Sequence, residues 1–168
     1  WRKKKMKIKK NNAKIAIALT LLLTLSALLA GIQTASAVAD VPTYCFLTTN
    51  PDPVGVDQMV SVNFWLDKVT PTAGPNKGDR WEGIIITITK PDGTTETKGP
   101  FTLDPVASSY MSYNPTIVGK YYFQMSFPGV HLSGVGGFPF PVPFDNNYLP
   151  STSQIVELTV QQDSIGHW

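Results

Sequence analysis

The chain has 168 residues, a length that allows one domain together with a targeting segment. Its formal net charge is +2, but eight of the 14 basic residues lie between Arg2 and Lys14. From Val38 onward there are six basic and twelve acidic residues, so the net charge of that part is −6. It has no cluster of Lys and Arg to neutralise phosphates, which argues against nucleic-acid binding.

The N-terminal segment has the order of a secretory signal. A basic head is followed by the apolar run Ile15–Ile32 and by two small-x-small sites, Ala35–Ala37 and Ala37–Ala39. We predict a signal peptide over residues 1–37, cut after Ala37 or Ala39. The alternative is an uncleaved anchor, because the run approaches the ~20 residues that span a bilayer. Both interpretations place the chain from Val38 onward outside the cytoplasm, and only the anchor would keep the chain in the membrane.

The rest of the chain is dominated by alternating apolar and polar side chains, the period of a half-buried strand. Asp92-Gly93 predicts a tight hairpin turn, because this pair supplies the positive φ that such turns need. The predicted fold is all-β: an antiparallel β-sandwich of about seven strands over residues 40–163, with Val62 and Phe123 buried on facing sheets. The predicted strands are Thr43–Thr48, Met59–Leu66, Glu82–Lys90, Thr94–Lys98, Ser108–Tyr113, Tyr121–Phe127 and Ser153–Gln161.

The segment G-K-Y-Y-F, which contains Gly119 and Tyr121, is similar to the entry to strand F of an immunoglobulin-like sandwich. In such domains a tyrosine at this corner bonds back to the backbone a few residues upstream, so we expect structural roles for both residues. Cys45 is the single cysteine, which excludes an internal disulfide and predicts a buried thiol.

Five pieces of sequence carry a more specific resemblance: NPDPVGV at Asn50–Val56, VSVNFW at Val60–Trp65, ITKPDGTT at Ile88–Thr95, VGKYYF at Val118–Phe123 and LTVQQD at Leu158–Asp163. In this order and spacing they resemble the N-terminal immunoglobulin-like module of large secreted archaeal surface proteins. The resemblance covers nearly all of the region after Ala39. In that family a β-propeller similar to pyrroloquinoline-quinone-binding repeats often follows the module. The propeller is not in this sequence, so none of its chemistry is carried over.

The segment Pro128–Pro150 is predicted to be a long loop, and loops of this length tend to be functional or mobile. Proline at every second position of its centre would remove the N–H donors from one edge, so the segment can pair on one side only. The loop is either a lid over an open end of the core or a docking surface for a following domain or another chain. The candidate interaction residues are Phe138, Phe140, Val142 and Phe144.

Catalytic and metal-binding patterns are missing from the sequence. His131 and His167 are far apart along the chain, and no nucleophile, paired-carboxylate or metal-ligand spacing is present. Asp145–Asn147 offers oxygen ligands, although a solvated turn explains it better. We therefore predict no enzyme activity, no cofactor and no metal.

Three functions compete. The first is a non-catalytic extracellular module of a cell-surface protein, with a spacer, adhesion or assembly role. The second is a carbohydrate- or ligand-binding sandwich that uses the outward aromatics Trp65, Trp81 and Tyr122; aromatics gathered on one sheet would favour it. The third is an accessory domain of a secreted redox or hydrolytic enzyme. Trp1 is not an initiator and Trp168 follows a polar segment, so we expect a fragment of a longer chain with a truncated tail at residues 164–168.

Overall fold

A computed structural model of the chain describes residues 14–22, 24, 38–137 and 139–166. The chain divides into two compact units, Trp1–Ser36 and Ala37–Trp168. In the first unit, residues 14–22 are helical. Among the described residues, no helix is both long enough and apolar enough to span a bilayer. The predicted site after Ala37, and half of the apolar run before it, lie outside the described residues.

The second unit is all-β. In chain order, its strands are β1 (Ala39–Val41), β2 (Cys45–Asn50), β3 (Val54–Gly55), β4 (Val60–Leu66), β5 (Ile84–Thr89), β6 (Thr95–Phe101), β7 (Ser108–Tyr113), β8 (Gly119–Phe127), β9 (Val130–Gly136), β10 (Val142–Tyr148), β11 (Ser151–Thr152) and β12 (Val156–Gln161). Each of the seven predicted strands is present, and its predicted ends agree with the observed ones to within three residues. The predicted Asp92-Gly93 hairpin turn joins β5 and β6, and Gly93 has φ +81°.

Two main sheets carry the core. The first has the strand order β2-β4-β7, and the second has the order β3-β12-β8-β5-β6, with β11 extending the pairing of β8. The pairs within these sheets are antiparallel, except that β12 and β3 are parallel. The chain passes from the first sheet to the second between β2 and β3, where Pro51 and Pro53 lack the N–H groups that would continue the β2–β4 ladder.

The two sheets pack against each other through their apolar faces. Val62 on β4 and Phe123 on β8 are both fully buried, which confirms the predicted strand faces. Aromatic rings cross the interior: Phe64 lies 5.1 Å from Phe101, and Tyr113 lies 5.5 Å from Phe123, between ring centroids. Burial of alternate side chains on both sheets supplies the main stabilisation, and this arrangement is a β-sandwich.

The prediction of a long loop over Pro128–Pro150 is wrong, because most of the segment is a β-hairpin. Strands β9 and β10 pair in continuous register from Val130↔Tyr148 to Gly136↔Val142. On its other side, β10 pairs with β1 only at Asn146–Tyr148. Strand propensity did not predict the hairpin, because β9 contains glycines and β10 begins beside alternating prolines. Both residue types are depleted in strands.

Candidate functional site

The corner before β8 is built by Tyr121 and Gly119. The buried Tyr121 hydroxyl oxygen accepts hydrogen bonds from the backbone N–H groups of Thr116, at 3.2 Å, and Ile117, at 3.0 Å. This is the contact expected of Tyr121. Gly119 has φ +135°, and a Cβ there would lie 2.8 Å from Pro91. Both residues therefore hold the backbone in place and do not face a ligand.

The base of the β9–β10 hairpin belongs to the core. Tyr148 on β10 is buried, and its ring packs edge-on against Trp81 with the centroids 4.7 Å apart. Leu132 on β9 packs against the same cluster. This half of the hairpin acts as the predicted lid, because it removes apolar surface of the sandwich from water.

The tip of the hairpin is different. Phe140 is 83% exposed, and Val135 and Val142 are exposed beside it. The tip is held to the loop before β5, since Gly137 donates its N–H to the carbonyl of Pro71 at 3.0 Å. A shallow cleft of about 570 Å³ lies between this loop and the tip, lined mainly by Pro, Gly and Val residues. Large apolar side chains are thus presented to solvent next to a concave surface.

The four candidate interaction residues divide between these environments. Phe140 and Val142 belong to the exposed tip. Phe144 is half-buried and pairs with Gly134, where its ring lies 3.6 Å from the position of a Cβ. An aromatic ring that covers a cross-strand glycine stabilises the hairpin itself. Phe138 lies outside the described residues.

The three candidate ligand aromatics do not form one set. The prediction that Trp81 points outward is wrong: it is 1% exposed, and its Nε1 donates to the carbonyl of Lys68 at 2.7 Å. Trp81 precedes β5, where strand periodicity does not fix the side-chain direction. Tyr122 is exposed on the second sheet, and half-buried Trp65 lies on the outer side of the first sheet.

The outer side of the β2-β4-β7 sheet carries aromatics that the sequence interpretation missed. Phe46 pairs with Trp65, and their rings stack with centroids 5.5 Å apart and planes at 15°. Tyr110 on β7 is 71% exposed on the same side. The alternation in C-F-L-T and S-S-Y-M indicates that Phe46 and Tyr110 point outward. That these side chains lie near Trp65 depends on strand register, which a single sequence does not reveal.

Several charged and nucleophilic groups of the described residues make structural contacts. Burial raises the pKa of the Cys45 thiol, whose sulfur lies 3.2 Å from the Ser151 hydroxyl. His131 Nε2 lies 2.7 Å from Asp145 Oδ1 across the hairpin. Asn147 donates to Asp40 Oδ1, so the Asp145–Asn147 segment is part of a strand and not a turn. Within the described ranges, no group of three or more His, Cys, Asp or Glu side chains could hold a metal ion.

Comparison with known proteins gives no assignment. No protein-family model matches the chain, and no curated protein matches it.

Proposed function

We propose that residues 40–163 form an exported, non-catalytic immunoglobulin-like module that takes part in the assembly of a surface protein. The fold assignment is supported by the strand order. Counting the seven principal strands as β2, β4, β5, β6, β7, β8 and β12, the first, second and fifth share one sheet. The third, fourth, sixth and seventh of these strands form the other sheet. Immunoglobulin-type sandwiches divide their strands between two sheets in the same way when the sheet of strands C, F and G carries a fourth strand. The hydrogen bonds to the Tyr121 hydroxyl support the same assignment.

The observation that carries the function is the exposed hairpin tip. Phe140 is largely solvent-exposed although the base of the same hairpin is packed into the core. A solvent-exposed phenylalanine ring lowers solubility. Clusters of exposed apolar side chains are found at interaction sites more often than elsewhere on protein surfaces. The geometry therefore favours docking at the tip and covering of the core at the base.

The occupant we propose is a second copy of this chain. Residues 133–144 contain no charged side chain, although the chain from Val38 onward has a net charge of −6. Two copies would repel each other over most of their surfaces, and the uncharged tip is where this repulsion is weakest and apolar burial is available. A symmetric tip-to-tip contact would also make the same patch serve both partners.

The experiment compares the mass of the full chain by light scattering over a range of concentrations. We expect concentration-dependent association that Phe140→Ser weakens without changing the melting temperature. Val106→Ser, at another exposed apolar site outside the hairpin, is the matched control and should associate like the parent chain. Both variants keep the N-terminal segment, so any association through it is common to all samples. Equal association of Phe140→Ser and the parent chain would contradict the proposal.

Export is a separate part of the proposal and has its own experiment. The basic head, the apolar run and the Ala-x-Ala sites support cleavage after Ala37 or Ala39. N-terminal sequencing of the secreted product should begin at Val38 or Asp40. A mature protein that still carries Ile15–Ile32 would instead support the anchored form.

A further inference from the structure

The outer side of the β2-β4-β7 sheet forms a second surface, separate from the hairpin. Because side chains alternate across a strand, every second residue of the three strands points away from the core. The inward residues of β4 are buried, which fixes the parity of its partners. The outward residues, which we call the sheet face, are Phe46, Thr48, Asn50, Ser61, Asn63, Trp65, Ser108, Tyr110 and Ser112.

Three aromatic side chains run across the sheet face. Phe46 and Trp65 are direct partners and stack at 5.5 Å. Tyr110 pairs with Asn63, two residues before Trp65, so it occupies the diagonal position. Diagonal neighbours lie about 7–8 Å apart, close enough for large rings to form one strip. Tyr44 extends the strip at one end, beneath the Lys68 ammonium group at 5.8 Å from the ring centroid.

The remaining positions of the sheet face are neutral hydrogen-bonding groups. Asn63 lies between Thr48 and Tyr110 in the register, and Ser61 lies between Asn50 and Ser112. Hydroxyl and amide groups supply both donors and acceptors, unlike Lys or Asp. The face therefore combines apolar rings toward one end with neutral groups that can bond hydroxyls in either direction.

Charge and composition together select the class of ligand. None of the nine side chains of the sheet face is charged. A nucleic acid would need several Lys or Arg beside the stacking rings, whereas the cation at the end of the strip, Lys68, is paired with Asp67 Oδ2 at 2.6 Å. A protein partner would favour an interface core depleted in serine. A sugar ring has an apolar C–H face and equatorial hydroxyls, and it complements rings flanked by Ser, Thr and Asn.

We propose that the sheet face binds an uncharged polysaccharide, with sugar rings stacked on Phe46, Trp65 and Tyr110 and their hydroxyls bonded by Asn63 and the neighbouring serines. This activity goes beyond the assembly role of the hairpin tip and uses none of its residues. A module with both surfaces would link copies of the chain to a glycan layer.

The test is affinity electrophoresis of the full chain in native gels that contain hydroxyethylcellulose, galactomannan or dextran, with polygalacturonate as the charged comparison. We expect retardation in at least one neutral gel, and we expect any retardation in polygalacturonate to be independent of Trp65 and Tyr110, because the basic residues from Arg2 to Lys14 attract a polyanion by charge alone. Trp65→Ala and Tyr110→Ala should each lower the association constant at least tenfold. Tyr122→Ala, an exposed aromatic on the other sheet, is the matched control and should bind like the parent chain.

The variants separate binding from folding. Trp65 is half-buried, so Trp65→Ala is judged only if its melting curve stays cooperative; Tyr110 is largely exposed, and Tyr110→Ala keeps the test decisive. Unretarded migration of the parent chain in all three neutral gels would overturn the proposal. So would an equal loss of binding in Tyr122→Ala, or a self-association that Tyr110→Ala abolishes. Phe140→Ser should bind normally, so a failure of the assembly role is distinguishable from a failure here.

Discussion

The ring of Tyr148 packs edge-on against the indole of Trp81, with centroids 4.7 Å apart and planes at 65°. This contact joins β10 to the segment before β5 and places the base of the hairpin inside the core. The tip, which begins a few residues earlier on the same strand, has no such anchor at Phe140. One hairpin is therefore packed into the core at one end and exposed to solvent at the other.

Substitutions at the two ends of the hairpin should separate these roles. Tyr148→Ala removes a buried ring from Trp81 and should lower the free energy of unfolding by about 3 kcal/mol. Phe140→Ala removes an exposed ring and should change it by less than about 0.5 kcal/mol. Chemical denaturation of both variants checks this, and similar losses at the two sites would mean that the tip also covers core.

The alternation of buried and exposed side chains along β8 gives a second prediction. Phe123→Ala should lower the free energy of unfolding by about 3–5 kcal/mol, because Phe123 is fully buried against Tyr113. Its neighbour Tyr122 points outward, so Tyr122→Ala should cost less than about 1 kcal/mol. Urea titration measures both values. A loss under about 1 kcal/mol for Phe123→Ala would show that the assignment of faces is wrong.

The corner tyrosine gives a third prediction. Tyr121→Phe keeps the buried ring but removes the oxygen that accepts from Thr116 and Ile117. Two backbone donors then lose their partner, and the free energy of unfolding should fall by about 1–3 kcal/mol. Hydrogen exchange should show faster exchange of these two amides in particular. Tyr110→Phe, at an exposed hydroxyl, is the control, and an equal effect there would count against a role for the corner.

Glu96 on β6 gives a prediction about pH. Burial would raise the pKa of Glu96, but the interactions with Lys90, Tyr113 and Lys98 outweigh it and hold the pKa below its ordinary value. Lys90 Nζ lies 3.1 Å from Glu96 Oε2. Because the pKa is lower in the folded state, Glu96 stabilises the fold above the pKa of the unfolded chain. That stabilisation is lost as the pH falls through the lower, folded-state pKa.

The matching experiment is thermal melting of Glu96→Gln and the parent chain across the acid range. At neutral pH the variant should be less stable by a few tenths to about 1 kcal/mol, since the pair is only partly shielded from solvent. The difference should disappear at low pH, where both side chains are neutral. Glu82→Gln, at an exposed site, is the control, and a difference that persists at low pH would assign the effect to packing.

The strands of the sandwich could be predicted because burial on one face leaves a period of two in the sequence. Ile84, Ile86 and Ile88, for example, show this period and are all buried. The period fails where a residue lies just outside a strand, as with Trp81, whose burial depends on Tyr148 from a distant hairpin. It also fails where glycine and proline replace the apolar positions, as in β9 and β10.

The candidate surfaces were only partly predictable. The sequence singled out Phe140 but left open whether its segment covers the core or forms a docking surface, and the structure shows that the side chain is exposed. The sheet face depends on Phe46, Trp65 and Tyr110 being neighbours on three strands, and this grouping is fixed by register across β4. Register is a long-range property, so a single sequence identifies the parity of each strand but not its partner.

The parallel pairing of β1 with β10 has a consequence for when the module can fold. Asn147 donates to Asp40 across a sequence separation of 107 residues, and Thr159 and Asp52 are joined across the same separation. Closing such long loops lowers the entropy of the chain before the non-local contacts can stabilise the fold. It also requires both ends of the loop to be present in one compartment. A chain that emerges from a translocation pore N-terminus first would therefore wait, with β1 and β3 lacking their partner strands, until β10 and β12 had crossed.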